Sequence, residues 1–110
     1  NDKYIGNVYM TNIDAVNSSC ESHVLIGDEK YWGAGYAKEA LLQLVSYMFN
    51  ERNINRIEAH ILESNIRSIK MHEKCGYKLE GLKRQAVYKN GEYQNQYILS
   101  LLKKDFLIKF

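Results

Sequence analysis

From Val24 to Leu42 the chain passes from an apolar stretch, Val24-Leu25-Ile26, through Lys30-x-x-Gly33-x-Gly35 and into an apolar-periodic run that begins after Tyr36. Glycines in such a turn let the backbone approach a ligand without interference from a Cβ. A helix that starts directly afterwards offers unpaired N–H groups and the positive end of its dipole. The chemistry this spacing supports is capture of an anion. Two common phosphate loops are disfavoured, because Lys38 occupies the place of the third glycine in a dinucleotide fingerprint and no Gly-Lys-Ser/Thr sequence follows. Ionisable side chains stand nearby. Read as a strand, residues 20–26 put Glu21, His23 and Leu25 on one face and Ser22, Val24 and Ile26 on the other, so a carboxylate and an imidazole share a face. Cys20-x-x-His23 and His72-x-x-Cys75 supply four metal-type ligands. In an extended strand, however, residues 20 and 23 point to opposite sides, which argues against a shared zinc ion.

The elements that must position these groups follow from periodicity. Residues 4–10 are aromatic and β-branched and read as a strand, residues 12–19 as a polar turn, and 20–26 as the returning strand of a hairpin. Ala37, Leu41, Leu44, Val45 and Met48 form a helical stripe over 37–49, and the alternation in 56–62 is that of a strand. Strand, helix and strand in this order predict a parallel pair with a right-handed crossover. Asn65 is placed to cap a short helix over 66–74 that Gly76 closes. A strand to Tyr88, the Asn90-Gly91 turn and a return strand over 92–102 complete a second hairpin. The expected fold is α/β (α+β), a mixed and mostly antiparallel sheet with two main helices. With no repeat, no low-complexity tract and no proline, one domain over residues 1–110 is expected.

Fifteen basic and thirteen acidic residues leave a formal charge of +2 with the signs interspersed, which gives no argument for nucleic acid or an acidic membrane as partner. No apolar run approaches the roughly 18 residues of a membrane span, and a soluble protein is expected. Cys20 and Cys75 are isolated thiols in a chain large enough to bury a core, which favours reduced cysteines in a cytoplasm. The first residue is Asn1 rather than Met, and strand-like sequence begins almost at once, so an upstream segment is expected.

The order Lys30-x-x-Gly33-x-Gly35 resembles the Arg/Gln-x-x-Gly-x-Gly/Ala pyrophosphate loop of GCN5-related N-acetyltransferases, the GNAT superfamily. Residues 31–40 are most similar to its branch of ribosomal-protein and spermidine N-acetyltransferases. Ile5-Gly6, Glu21 followed by Ile26-Gly27, Asn65-x-x-Ser68 and Lys74-Cys75-Gly76-Tyr77-x-x-Glu80-Gly81 fall in the family's order and close to its spacing. The chain departs from the pattern at three positions. Lys30 replaces Arg or Gln, His72 stands where many relatives carry a tyrosine used as general acid, and Asn95 stands where this branch often has an aspartate. The family's first strand, first two helices and second strand have no counterpart in the chain.

The resemblance implies acetyl transfer from acetyl-coenzyme A to a primary amine by direct transfer, the amine being a protein N-terminus, a polyamine or another small amine. Such a reaction needs the thioester positioned, the ammonium deprotonated and the departing thiolate protonated. For the first task the resemblance points to Lys30, Tyr31, Trp32, Gly33, Ala34, Gly35 and Tyr36 around the pyrophosphate, and to Leu25 and Ile26 along the pantetheine arm at a splayed parallel pair. Asn65 and Ser68 would also contact that arm. Glu21 would be the general base, with His23 on the same face as its alternative. His72 would be the general acid, with Tyr77 and Tyr88 as fallback donors. A second reading is a non-catalytic coenzyme A binding or dimerisation module. In that reading apolar surface left by the absent elements, with residues 106–110 contributing, favours a homodimer.

Overall fold

The computed structural model describes residues 6–26 and 35–109. Eight elements follow in order: β1 (Gly6–Asp14), β2 (Ser19–Ile26), α1 (Tyr36–Asn50), β3 (Arg56–Leu62), α2 (Ile66–Lys74), β4 (Lys78–Lys89), β5 (Glu92–Leu102) and α3 (Lys103–Lys109). The strands form one sheet in the order β1-β2-β3-β5-β4, antiparallel except for the β2/β3 pair. This is the mixed sheet expected from the sequence.

Local chemistry accounts for most boundaries. The Asn65 side chain accepts from the amide of Ser68 at 3.2 Å, and Gly76, at φ +99°, takes the left-handed conformation beyond the end of α2. Asn90 and Gly91 both have positive φ, as a two-residue hairpin turn matched to the strand twist requires. Two expectations are corrected. β1 runs on to Asp14 rather than ending at residue 10, because a bulge between Thr11 and Asp14, with Asn12 at φ +51°, lets polar residues remain in the ladder. The turn shrinks to residues 15–18, where the Asp14 carboxylate accepts from the amides of Val16 and Asn17 at 3.0 Å each. Tyr4 and Ile5 lie outside the described residues.

One face of the sheet carries the core. Leu41, Val45, Met48 and Phe49 of α1, with Met71 of α2, pack against Cys20, Ile57, Ala59, Ile61, Leu99 and Leu101. The short helix α3 was not legible as a helix in the sequence, and Phe106, expected on an exposed apolar surface, is 6% exposed and packs on Phe49 with ring centroids 5.4 Å apart. Leu107 and Ile108 remain exposed. Phe110 lies outside the described residues.

The opposite face follows from the registers. Tyr9 faces His23, Thr11 faces Glu21, Glu21 pairs with Glu58, and Glu58 with Ser100. Directly opposed residues share a face, so this side holds Tyr9, Thr11, Glu21, His23, Arg56, Glu58, His60 and Ser100. Among the described residues these polar side chains occupy its centre, with Ile98 opposite His60 and Leu102 opposite Arg56 on β5.

Candidate functional site

The parallel pair is short. β2 and β3 pair only at Ser19↔Arg56, Cys20↔Ile57 and Glu21↔Glu58, whereas β2 stays paired to β1 as far as Ile26↔Gly6 and β3 to β5 as far as Leu62↔Gln96. Beyond Glu21 the two strands therefore diverge like the arms of a fork. At the fork the Ser22 hydroxyl donates to the carbonyl of Glu58 at 3.3 Å and lies 2.8 Å from the Tyr77 hydroxyl, which serves as the donor in that second bond. A side chain thus satisfies the buried acceptor where the ladder ends. Burial pushes the Tyr77 hydroxyl well above its ordinary pKa, so it stays protonated.

Between the arms lies a cleft of about 290 Å³, near the lower size limit of ligand pockets. Its walls are Ser22 to Leu25 on β2 and Ala59 to Leu62 on β3, and Asn65, Ser68 and His72 approach from α2. The sequence had singled out Leu25, Asn65, Ser68 and His72 separately, and the fold brings all four to this one cleft. Leu25 is half exposed; Ile26 ends β2 opposite Gly6.

Gly35 is the N-cap of α1 at φ +83°, with no side-chain cap, and among the described residues a Cβ built on it meets nothing within 4 Å. Open space in front of a helix N-terminus is what an approaching anion requires. Tyr36 begins the helix. Lys30, Tyr31, Trp32, Gly33 and Ala34 lie outside the described residues.

Glu21 and His72 stand on opposite sides of the sheet. His72 is on the helix side and 2% exposed. Its Nδ1 lies 2.8 Å from the carbonyl oxygen of Ser68, which can only accept, so Nδ1 carries the hydrogen. The ring meets Tyr77 edge-on at 4.9 Å, and burial lowers the histidine pKa, so the neutral ring has a free lone pair on Nε2. As a proton donor at Nε2, His72 must first be charged.

Glu21 sits on the helix-free side, its side chain 17% exposed. Asn12 Nδ2 donates to its Oε1 at 3.1 Å, while His23 Nε2 and His60 Nδ1 stand 3.5 and 3.8 Å from its Oε2. The His23 ring stacks on Tyr9, and its Nε2 is 2.7 Å from the Thr11 hydroxyl. Next in line, His60 Nε2 lies 3.0 Å from Glu58 Oε1, and Arg56 bridges Glu58 and Glu80. The Arg56 guanidinium is the main reason that the Glu58 and Glu80 carboxyls are held below their usual pKa. The alternation of β3 had marked Arg56, Glu58 and His60 as one face. Only the parallel register sets that face beside Glu21.

Other candidates fall elsewhere. Tyr88 is 65% exposed and packs on Tyr93 near the hairpin tip. Cys20 and Cys75 are buried core residues, and burial pushes the Cys20 thiol up to about 11. No group of three or more potential metal ligands occurs among the described residues. Asn95 ties the bulged part of β4 to the turn before α2, its Oδ1 accepting from the Gln85 amide at 2.9 Å and its Nδ2 donating to Glu63 at 3.2 Å.

Comparison with known proteins agrees with this fold. The uncharacterised N-acetyltransferase p20 of Bacillus licheniformis is 35% identical over 105 residues, 96% of this chain and 58% of the relative. The spermidine N(1)-acetyltransferase of Vibrio cholerae is 27% identical over 94% of the chain and 59% of its own length. A structure of the Vibrio cholerae spermidine/spermine N-acetyltransferase SpeG in complex with manganese ions superposes with a TM-score of 0.88 at 27% identity, over 96% of this chain and 61% of the other. The chain thus spans less than two thirds of the length of these relatives. Residues 1–78 match the family model described as an acetyltransferase (GNAT) domain, which includes the helix-capping glycine and both arms of the fork. By that match over more than half its length, the chain belongs to the GNAT acetyltransferase domain family.

Proposed function

We propose that the chain, as a single domain over residues 1–110, transfers an acetyl group from acetyl-coenzyme A to a primary amine by direct transfer in a ternary complex. The acceptor would be a protein N-terminus, a polyamine or another small amine. The observation that carries the reading is the fork, with polar groups converging on a cleft whose two sides are chemically different. Acetyl-coenzyme A would supply the activated acyl carbon. Lys30, Tyr31, Trp32, Gly33, Ala34, Gly35 and Tyr36 would seat its pyrophosphate, and Leu25, Ile26, Asn65 and Ser68 would hold the arm between the strands. Glu21, on the helix-free side, would attract the ammonium of the acceptor and take its proton, directly or through water. His72 lies across the fork, and once charged its Nε2 would serve the departing thiolate.

The division of labour across the sheet leads to a test. Calorimetry with acetyl-coenzyme A, followed by a thiol-release assay over a panel of amines, is expected to give binding and amine-dependent turnover. Binding without turnover on any amine would favour the second reading, a coenzyme A binding or dimerisation module. The share of the relatives' length that the chain spans keeps this alternative in play. The two buried free cysteines and the absence of a long apolar helix among the described residues support a cytoplasmic setting.

Two substitutions probe the halves separately. Gly35→Val is expected to weaken acetyl-coenzyme A binding by about tenfold or more, because a branched Cβ enters the open space before α1 and strains a positive φ. Unchanged affinity by calorimetry would remove the anion cradle. His72→Phe should lower kcat by about tenfold with cofactor affinity retained, below the usual range for proton transfer because the neutral ring commits its hydrogen to Ser68. An undiminished kcat would retire His72 as acid.

A further inference from the structure

The chemistry proposed above leaves His60 without a task. Its side chain is one-fifth exposed and lines the cleft, with one ring nitrogen turned to each of two carboxylates, Nε2 at 3.0 Å from Glu58 Oε1 and Nδ1 at 3.8 Å from Glu21 Oε2. Glu58 receives Arg56 through both Nε, at 3.2 Å, and a terminal nitrogen, at 2.8 Å, and so remains ionised. An ionised carboxylate only accepts, so the hydrogen of neutral His60 resides on Nε2. The lone pair is then on Nδ1, the ring nitrogen nearer Glu21, 3.8 Å from its Oε2 and longer than a hydrogen bond in this structure. A carboxylate behind a histidine fixes its tautomer and orientation.

We propose that His60 carries away the proton that Glu21 takes from the acceptor ammonium. Once side-chain rotation closes the 3.8 Å between them to hydrogen-bond range, the O–H bond of protonated Glu21 breaks as an Nδ1–H bond forms on His60, leaving a carboxylate and an imidazolium. The imidazolium gives that proton to water, so neither residue is altered over a cycle. His60 thus acts through Glu21 and is a positioning residue rather than a catalytic one. Among the described residues the other charged or titratable groups around it are His23 on β2, Tyr9 on β1 and His72 on α2 in the same cleft, and Glu58 and Arg56 on its own strand, with Glu80 of β4 beyond Arg56. Its opposed residue on β5 is the uncharged Ile98. His23 is the weaker candidate for the relay, since its Nε2 lies closest to the Thr11 hydroxyl, at 2.7 Å, rather than to a carboxylate.

The relay rests on the reading of Glu21 as the base, and the two are separable. Glu21→Gln, His60→Ala and His60→Gln are compared in the full chain by thiol release from about pH 6 to about pH 9, with acetyl-coenzyme A affinity measured alongside. Both His60 variants are expected to retain cofactor affinity and lose about tenfold in kcat at neutral pH, with the shape of the pH profile changed because the group that takes the proton from Glu21 is gone. Added imidazole should restore His60→Ala in proportion to its concentration. His60→Gln keeps a donor toward Glu58 and fills the site, so it tests the loss even where the alanine variant fails to fold. A wild-type pH profile in either variant, or a loss in the folded alanine variant that imidazole does not restore, overturns the relay. If Glu21→Gln is as active as the wild type, the base assignment falls first and the relay with it. An inactive Glu21→Gln beside an unimpaired His60→Gln overturns the relay alone.

Discussion

Replacing Glu21 with glutamine is expected to lower kcat/KM for every acceptor amine by about 10²–10⁴, the usual contribution of a positioned base, while acetyl-coenzyme A binds as before. The substitution is nearly isosteric, and the amide oxygen can still accept from Asn12 Nδ2, now 3.1 Å from the carboxylate. It removes only the negative charge and the proton-accepting oxygen, so packing should be kept. Both lost properties would serve the amine in the proposed reaction, since a carboxylate at the base of the fork would draw a cation to the helix-free side and then take its proton. Steady-state kinetics with calorimetry decide the matter. A variant that loses cofactor affinity in step with its rate would show that Glu21 supports the fold of the cleft instead.

Phe49→Ala should cost about 3–5 kcal/mol of stability, a large part of the roughly 5–15 kcal/mol that holds a domain folded. Phe49 is fully buried at the end of α1 and leans on Phe106 of α3, so its removal opens a cavity against the buried ring that packs the terminal helix on the core. Rigid helices and strands surround it, and such surroundings relax little around a void. Urea unfolding should show a lower midpoint with an unchanged slope. A loss below about 1 kcal/mol would mean that α3 moves to refill the space.

Much of the architecture could be read from local signals. The periodicity of α1, the alternation of β3, the Asn65 cap and the Asn90-Gly91 turn each concern residues within a few positions of one another, and each element formed where expected. The failures share a cause. β1 outlasts its apolar pattern because a bulge and pairing with β2 carry polar residues along. Among the described side chains of helix α3 only Phe106 is buried, too little for a periodic signature, and it packs against Phe49 from another part of the chain.

The sequence alone determined which residues share a strand face, where α1 and α2 start and stop, and that a glycine precedes the long helix, because backbone geometry and capping act over one or two turns. Tertiary structure decided the register of β2 against β3, and with it the depth of the fork, the meeting of Glu21 with His60, and the neutral state of His72. Strand pairing across a helical crossover joins residues more than thirty positions apart, and alternation names a face without naming its neighbour. Likewise, the proton on His72 answers to burial and to the Ser68 carbonyl, neither of which is visible in the order of residues.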